Sequence, residues 1–186
     1  MLAQLAVAVA ALVAIALGWS NMQSNTEAIN ALDSLSVQQS NLIKDAYVQM
    51  LRATIRADLA AAQRAAGDKA GAAENTRTVQ QLMTDAKKKL DSFKAIPKIT
   101  DIGRTAEGQL LASFNGFADG LQAMLAALDR GDNAEYLSLK NTKTAAASGA
   151  FSKQLTEFAA TINTYSEEQV ACLLYTSPSP RDQRGS

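Results

Sequence analysis

The sequence predicts an all-α fold: an antiparallel up-down-up-down four-helix bundle whose first helix continues directly from an N-terminal transmembrane helix. Three observations predict it. Apolar residues recur at alternating steps of three and four along four stretches, the spacing that places them on one helix face. Short Gly, Asp and Pro signals fall between those stretches. Residues 2–19 carry one polar side chain, Gln4, and so approach the run of about 20 apolar residues that a bilayer core requires. Composition agrees, with 47% hydrophobic but only 5% aromatic residues in 186, a balance that favours alanine-rich helices over sheet.

The first element is the transmembrane helix, 1–19. It lacks the basic n-region and small-residue cleavage site of a removable signal, and Trp19 stands where an aromatic side chain anchors at the interface. No Gly or Pro interrupts residues 20–66, so span and first bundle helix form one rod. Its predicted seam is Leu32, Ser36, Gln39, Ile43, Ala46, Met50, Ala53, Ala57 and Ala60. Residues 67–71 (Gly-Asp-Lys-Ala-Gly) read as a stop and a loop. The second helix, about 73–95, carries Val79, Met83, Ala86, Leu90 and Phe93, and Pro97 prevents its continuation.

The third helix, about 102–129, has Leu110, Phe114, Phe117, Leu121, Met124 and Leu128 on one face. Its interior glycines each cost about 1 kcal/mol relative to alanine, so tertiary contacts must hold it. Arg130-Gly131-Asp132 is a tight turn in which Asp132 caps the next helix. The fourth helix, about 133–171, carries Thr144, Ala147, Phe151, Leu155, Phe158, Ile162 and Tyr165. At 1.5 Å per residue the middle helices reach about 35–42 Å and residues 20–66 about 70 Å. The first and fourth helices are therefore expected to overhang as a stalk at the membrane end. A second span and a cytoplasmic output module are expected beyond the fourth helix.

Lys plus Arg and Asp plus Glu are equal at 18 each and interspersed, so no basic field points to nucleic acid. There is no His, and the one Cys, Cys172, lies in the C-terminal stretch 172–186. That stretch, rich in Ser, Pro and Arg, breaks the helical pattern. From Cys172 to Asp182 it resembles the conceptual translation of a transposon-based sequencing-library adapter, which implies a non-native tail beyond Ala171. Without Cys and His, the chain offers no Cys or His nucleophile and no zinc site of those ligands. No enzyme activity and no cofactor are expected.

Three segments carry a family resemblance: residues 82–93 (LMTDAKKKLDSF) on the second helix, 128–136 (LDRGDNAEY) at the last turn, and 151–158 (FSKQLTEF) on the fourth. With the span and four helices they resemble the periplasmic ligand-binding domain of bacterial methyl-accepting chemotaxis receptors of the aspartate/serine type. In that family arginines on the first helix of both subunits grip the ligand's carboxylates across a dimer interface, helped by groups early in the fourth helix. Arg52 and Arg56 resemble two of those arginines, Tyr47 occupies the position of a third, and Tyr136 matches the family's aromatic residue. Leu139 stands where a glutamine would be and Asn141 where a threonine would be. The resemblance implies a homodimer in the bacterial inner membrane with a periplasmic sensory domain. Its ligand would be a small anionic or zwitterionic solute, or a periplasmic binding protein.

The residues agree with that implication. Arg52 and Arg56 lie one turn apart beside the Ala53/Ala57 seam, and their forked donors suit bidentate carboxylate capture. The bland reading is that they pair with Asp58 or other surface acids. Lys87, Lys88 and Lys89 read as a solvated face, and Phe114, Phe117, Phe151 and Phe158 as core. Dimerisation is expected through Ala and Met seam positions of the first helix. Competing functions are the input domain of a histidine kinase or cyclase, and a ligand-free coiled-coil spacer.

Overall fold

A computed structural model describes residues 26–176, which form four helices with no strand among them. The predicted span at 1–19 lies outside the described residues, and no helix within them is long and apolar enough to cross a membrane. The first rod, α1, is helical over 26–32, passes through a π-helical turn at Asp33–Gln39 and continues as an α-helix over Ser40–Ala65. Helix α2 spans Lys69–Ala95 and α3 spans Asp101–Arg130. The second rod, α4, comprises Asn133–Leu139, a π-helical turn at Lys140–Thr144, and Ala145–Thr176.

Each connection has a local cause. Gly67, at φ 81°, turns the chain out of α1, and the Asp68 carboxylate accepts from the Gly71 amide at 2.9 Å to open α2. This cap starts α2 at Lys69, whereas the sequence placed the start near Ala73 and read 67–71 as loop. Pro97 forces Ile96 into an extended conformation, and α2 stops at Ala95. The Lys98 ammonium folds back to the carbonyls of Phe93 and Ile96, at 2.5 and 2.7 Å, and lies 4.3 Å from the Phe93 ring centroid. Thr100 caps α3 by accepting from Gly103 at 3.1 Å. Gly131, at φ 76°, ends α3 in a left-handed turn in which the Asp132 amide donates to the Ala127 carbonyl. Asp132 then caps α4 through the Glu135 amide.

The core is the predicted one along most of its length. Ile43, Ala46, Met50, Ala53, Ala57 and Ala60 of α1 are buried against Val79, Ala86, Leu90 and Phe93 of α2, the full predicted face of α3, and Phe151, Leu155, Phe158 and Ile162 of α4. Alanine dominates α1 at this face, which lets the neighbouring backbones approach closely. Phe114 and Phe151 meet edge to face at 5.9 Å between centroids, a favourable arrangement for aromatic quadrupoles.

The seam departs from expectation where α1 becomes π-helical. Ala31, Leu35 and Gln39 are buried, Leu32 is only half-buried and Ser36 is exposed. A π turn bonds i to i+5 and carries an extra residue, so steps of four keep Ala31, Leu35, Gln39 and Ile43 on one face. Side chains five apart are aligned by the same widening: Gln38 donates to Asp33 at 2.7 Å and Gln39 to Ser34 at 3.0 Å. The second π turn does likewise on α4, bringing Tyr136 and Thr144 to the buried side. At each turn's last residue a buried oxygen, Gln39 Oε1 or Thr144 Oγ1, has no hydrogen-bond partner and lies against a glycine of α3, Gly103 or Gly120. Helix α4 also runs on to Thr176, past the expected break at Cys172.

Candidate functional site

The candidate residues lie on the two flanks of α1. With Met50, Ala53 and Ala57 turned inward, the 3.6-residue period leaves Val48, Leu51, Ile55 and Leu59 facing out, and all four are exposed, Ile55 at 60%. They form a continuous apolar stripe that nothing in the protomer covers. The spacing 48, 51, 55, 59 was legible in the sequence as a second periodicity. The dimer expectation, however, was attached to the Ala and Met positions. Those are buried within the protomer, and the stripe is the face left over.

Arg52 and Arg56 border the stripe on the α2 side. Both are exposed. Arg56 Nη1 donates to Asn75 Oδ1 on α2 at 3.2 Å, and Asn75 is itself fixed by donating to Gln63 Oε1 at 2.7 Å and to the Gly71 carbonyl at 3.3 Å. Arg52 makes no ion pair with any described residue, so its guanidinium is free for an outside carboxylate.

Tyr47, Tyr136 and Asn141 belong to the opposite flank, where α1 meets α4. Tyr47 is half-buried, its ring edge-on to Phe151 at 5.3 Å and 87° and tilted against Phe117 at 6.4 Å. The Tyr136 ring is buried and its hydroxyl donates to Asp58 Oδ1 at 2.7 Å, while Lys140 Nζ reaches Asp58 Oδ2 at 2.9 Å. Burial first, then the bond to Asp58 and its charge, push the Tyr136 hydroxyl well above the ordinary tyrosine pKa, so it stays a neutral donor. Asn141 is exposed within the π turn.

Asp58 is therefore not the partner of the arginines that the bland reading supposed. It is held by Tyr136 and Lys140 on the other side of α1. Sequence reasoning missed Asp58 and Lys140 as members of this flank because they are distant in the chain and no local signal pairs them. The lysine run behaves as expected: Lys87, Lys88 and Lys89 pair with Asp91, Asp85 and Asp45 at the surface.

Within one protomer the stripe stands between the arginine flank and the Tyr136 flank, so the five predicted residues do not converge on one pocket. Residues 1–162 match the TarH family, described as Tar ligand binding domain homologue. The chain belongs to this family. As a TarH domain it is a helical, extracytoplasmic ligand-binding domain of the chemotaxis-receptor type, and the family is one of sensory domains rather than enzymes. The match begins at residue 1 and so includes the apolar segment before the described rods. A comparison with curated proteins finds no match.

Proposed function

We propose that this TarH domain senses a small zwitterionic or anionic solute at a two-fold interface formed by the α1 stripes of two copies. A two-fold axis along that stripe sets the α2-side flank of one copy beside the α4-side flank of the other. Arg52 and Arg56 of one copy then face Tyr136 and Asn141 across the axis. The arginine forks take the solute's carboxylate. Asp58, carrying a Lys140 and a Tyr136 bond, holds both of those side chains on this flank. Tyr47, wedged on Phe151, backs the site. Solute binding draws the α4 flank toward the partner's α1, and α4 carries the displacement toward an inner-membrane segment. Residues 2–19 serve as the anchor. The observation that carries this reading is the exposed stripe Val48/Leu51/Ile55/Leu59 bordered by the unpaired Arg52.

The test is calorimetric titration of the wild-type chain, Arg52→Ala, Arg56→Ala and Arg52→Lys against amino acids and dicarboxylates. Removing a charged hydrogen bond costs about 1.5–3 kcal/mol, so each Ala variant should bind about ten- to a hundredfold more weakly. Arg52→Lys should recover little, because it keeps the charge and loses the fork. Fold stability should move by no more than about 0.5 kcal/mol, the usual bound for surface substitutions. A solute that binds wild type and both Ala variants equally well would show that these arginines are not the site.

A further inference from the structure

A cavity of about 550 Å³ opens at the distal end of the bundle where the end of α1, the first three turns of α2 and the last turn of α3 meet. It lies on the inward side of α1, away from the apolar stripe. Three cations line it: Arg64, Lys69 and Arg77. Arg64 continues the buried face of α1, four residues past Ala60, so its guanidinium emerges where the core ends. Lys69 opens α2 and Arg77 lies on the same helix two turns later. None of the three has an ion-pair partner among the described residues, and the single acid in the lining, Asp129, pairs with none of them. Arg77 Nε reaches only the Ala73 carbonyl, at 3.5 Å.

Acids and bases are equal in number across the chain, so three cations lining one cavity with a single acid make a local excess of positive charge. The α2 N-terminus beside them is already capped by the Asp68 carboxylate, so the positive charge of the cavity comes from the three side chains. Its floor is apolar, made by Ala60, Ala72 and Leu128, while the Thr76 hydroxyl and the Gln80 amide supply neutral donors. The volume falls in the range of small-molecule sites and exceeds what a single inorganic ion fills.

We infer that this distal cavity binds a small multivalent oxyanion, a di- or tricarboxylate or a phosphate ester, at a site separate from the stripe between copies. The two arginines clamp planar oxygens in bidentate fashion, Lys69 adds a point charge, and Thr76 and Gln80 take hydroxyl or remaining oxygen atoms of the ligand.

The test is titration of the purified full chain with citrate, succinate and inorganic phosphate, each against sodium chloride at equal ionic strength, reading heat and unfolding midpoint. At least one oxyanion should bind and raise the midpoint beyond the chloride effect, and the preferred one shows whether carboxylate or phosphate chemistry is recognised. The double variant Arg64→Gln/Arg77→Gln should weaken that binding by about tenfold or more. Lys69→Gln, a single exposed change in the first turn of α2, should weaken it by a smaller factor and serves if the double variant fails to fold. Arg52→Gln should leave it unchanged, which separates this site from the one proposed between copies. No effect beyond chloride, equal binding by wild type and Lys69→Gln, or loss of binding in Arg52→Gln would each overturn the inference.

Discussion

Two glycines on the same helix should respond to alanine in opposite directions. Both Gly108 and Gly120 lie inside α3, so each replacement gains about 1 kcal/mol of helix propensity. A Cβ on Gly108 meets nothing within 4 Å, and Gly108→Ala should stabilise by most of that gain. A Cβ on Gly120 falls 2.8 Å from Thr144 Oγ1, 3.1 Å from Thr144 Cα and 3.3 Å from Thr144 Cβ. The hydroxyl could rotate, but the Cα belongs to the π turn of α4 and yields only if the two helices move apart. Inserting a methyl group into such a contact costs about 1–3 kcal/mol. The net for Gly120→Ala is then about 0–2 kcal/mol of destabilisation, and the two variants should differ by about 1–3 kcal/mol. At about 2–4 °C per kcal/mol for a chain of this size, thermal unfolding of the two proteins in parallel resolves the difference. Adding Thr144→Ala to Gly120→Ala removes the nearest atom and leaves the Cα, so recovery should be partial. If Gly120→Ala unfolds at or above the temperature of Gly108→Ala, α3 and α4 do not approach this closely and the placement of the π turn is wrong.

Other outcomes follow from the same packing. Ile55→Glu puts a charge in the centre of the apolar stripe and should convert solute-bound dimer to monomer in sedimentation equilibrium; an unchanged dimer would locate the interface elsewhere. Tyr136→Phe removes a partly buried bond to the Asp58 carboxylate and should cost about 1.5 kcal/mol in urea unfolding, the lower end for a charged hydrogen bond. Because the folded-state pKa of Tyr136 is raised, the stability it contributes is complete below the unfolded tyrosine pKa of about 10 and declines as pH rises above it. The wild type should therefore lose stability above that pH more steeply than Tyr136→Phe, and parallel curves would refute the assignment. Deleting residues 172–186 should shift the unfolding midpoint by less than a few degrees, even though the helix runs on to Thr176; a larger shift would show that this stretch is integral to the bundle.

The sequence by itself determined the class, the number of helices and most of the core. Periodicity is a local property: when Leu110, Phe114, Phe117, Leu121, Met124 and Leu128 recur at steps of three and four, one face must be apolar whatever it packs against. Caps are local as well, so Gly131-Asp132 and Pro97 stated their turns in advance. The π turns were not legible, because the extra residue in the ladder is settled by what α1 and α4 must present to α3, and Ser36 was misplaced for that reason. Of the candidate site, the arginine pair could be seen in the sequence through its spacing, and Tyr136 through the turn before it. That Asp58 faces Tyr136 and Lys140 rather than the arginines, and that Arg64, Lys69 and Arg77 share one cavity, depend on which flank each helix turns to its neighbour. Only tertiary packing fixes that rotation, since burying the alanine face of α1 decides at once which residues remain on either side of it.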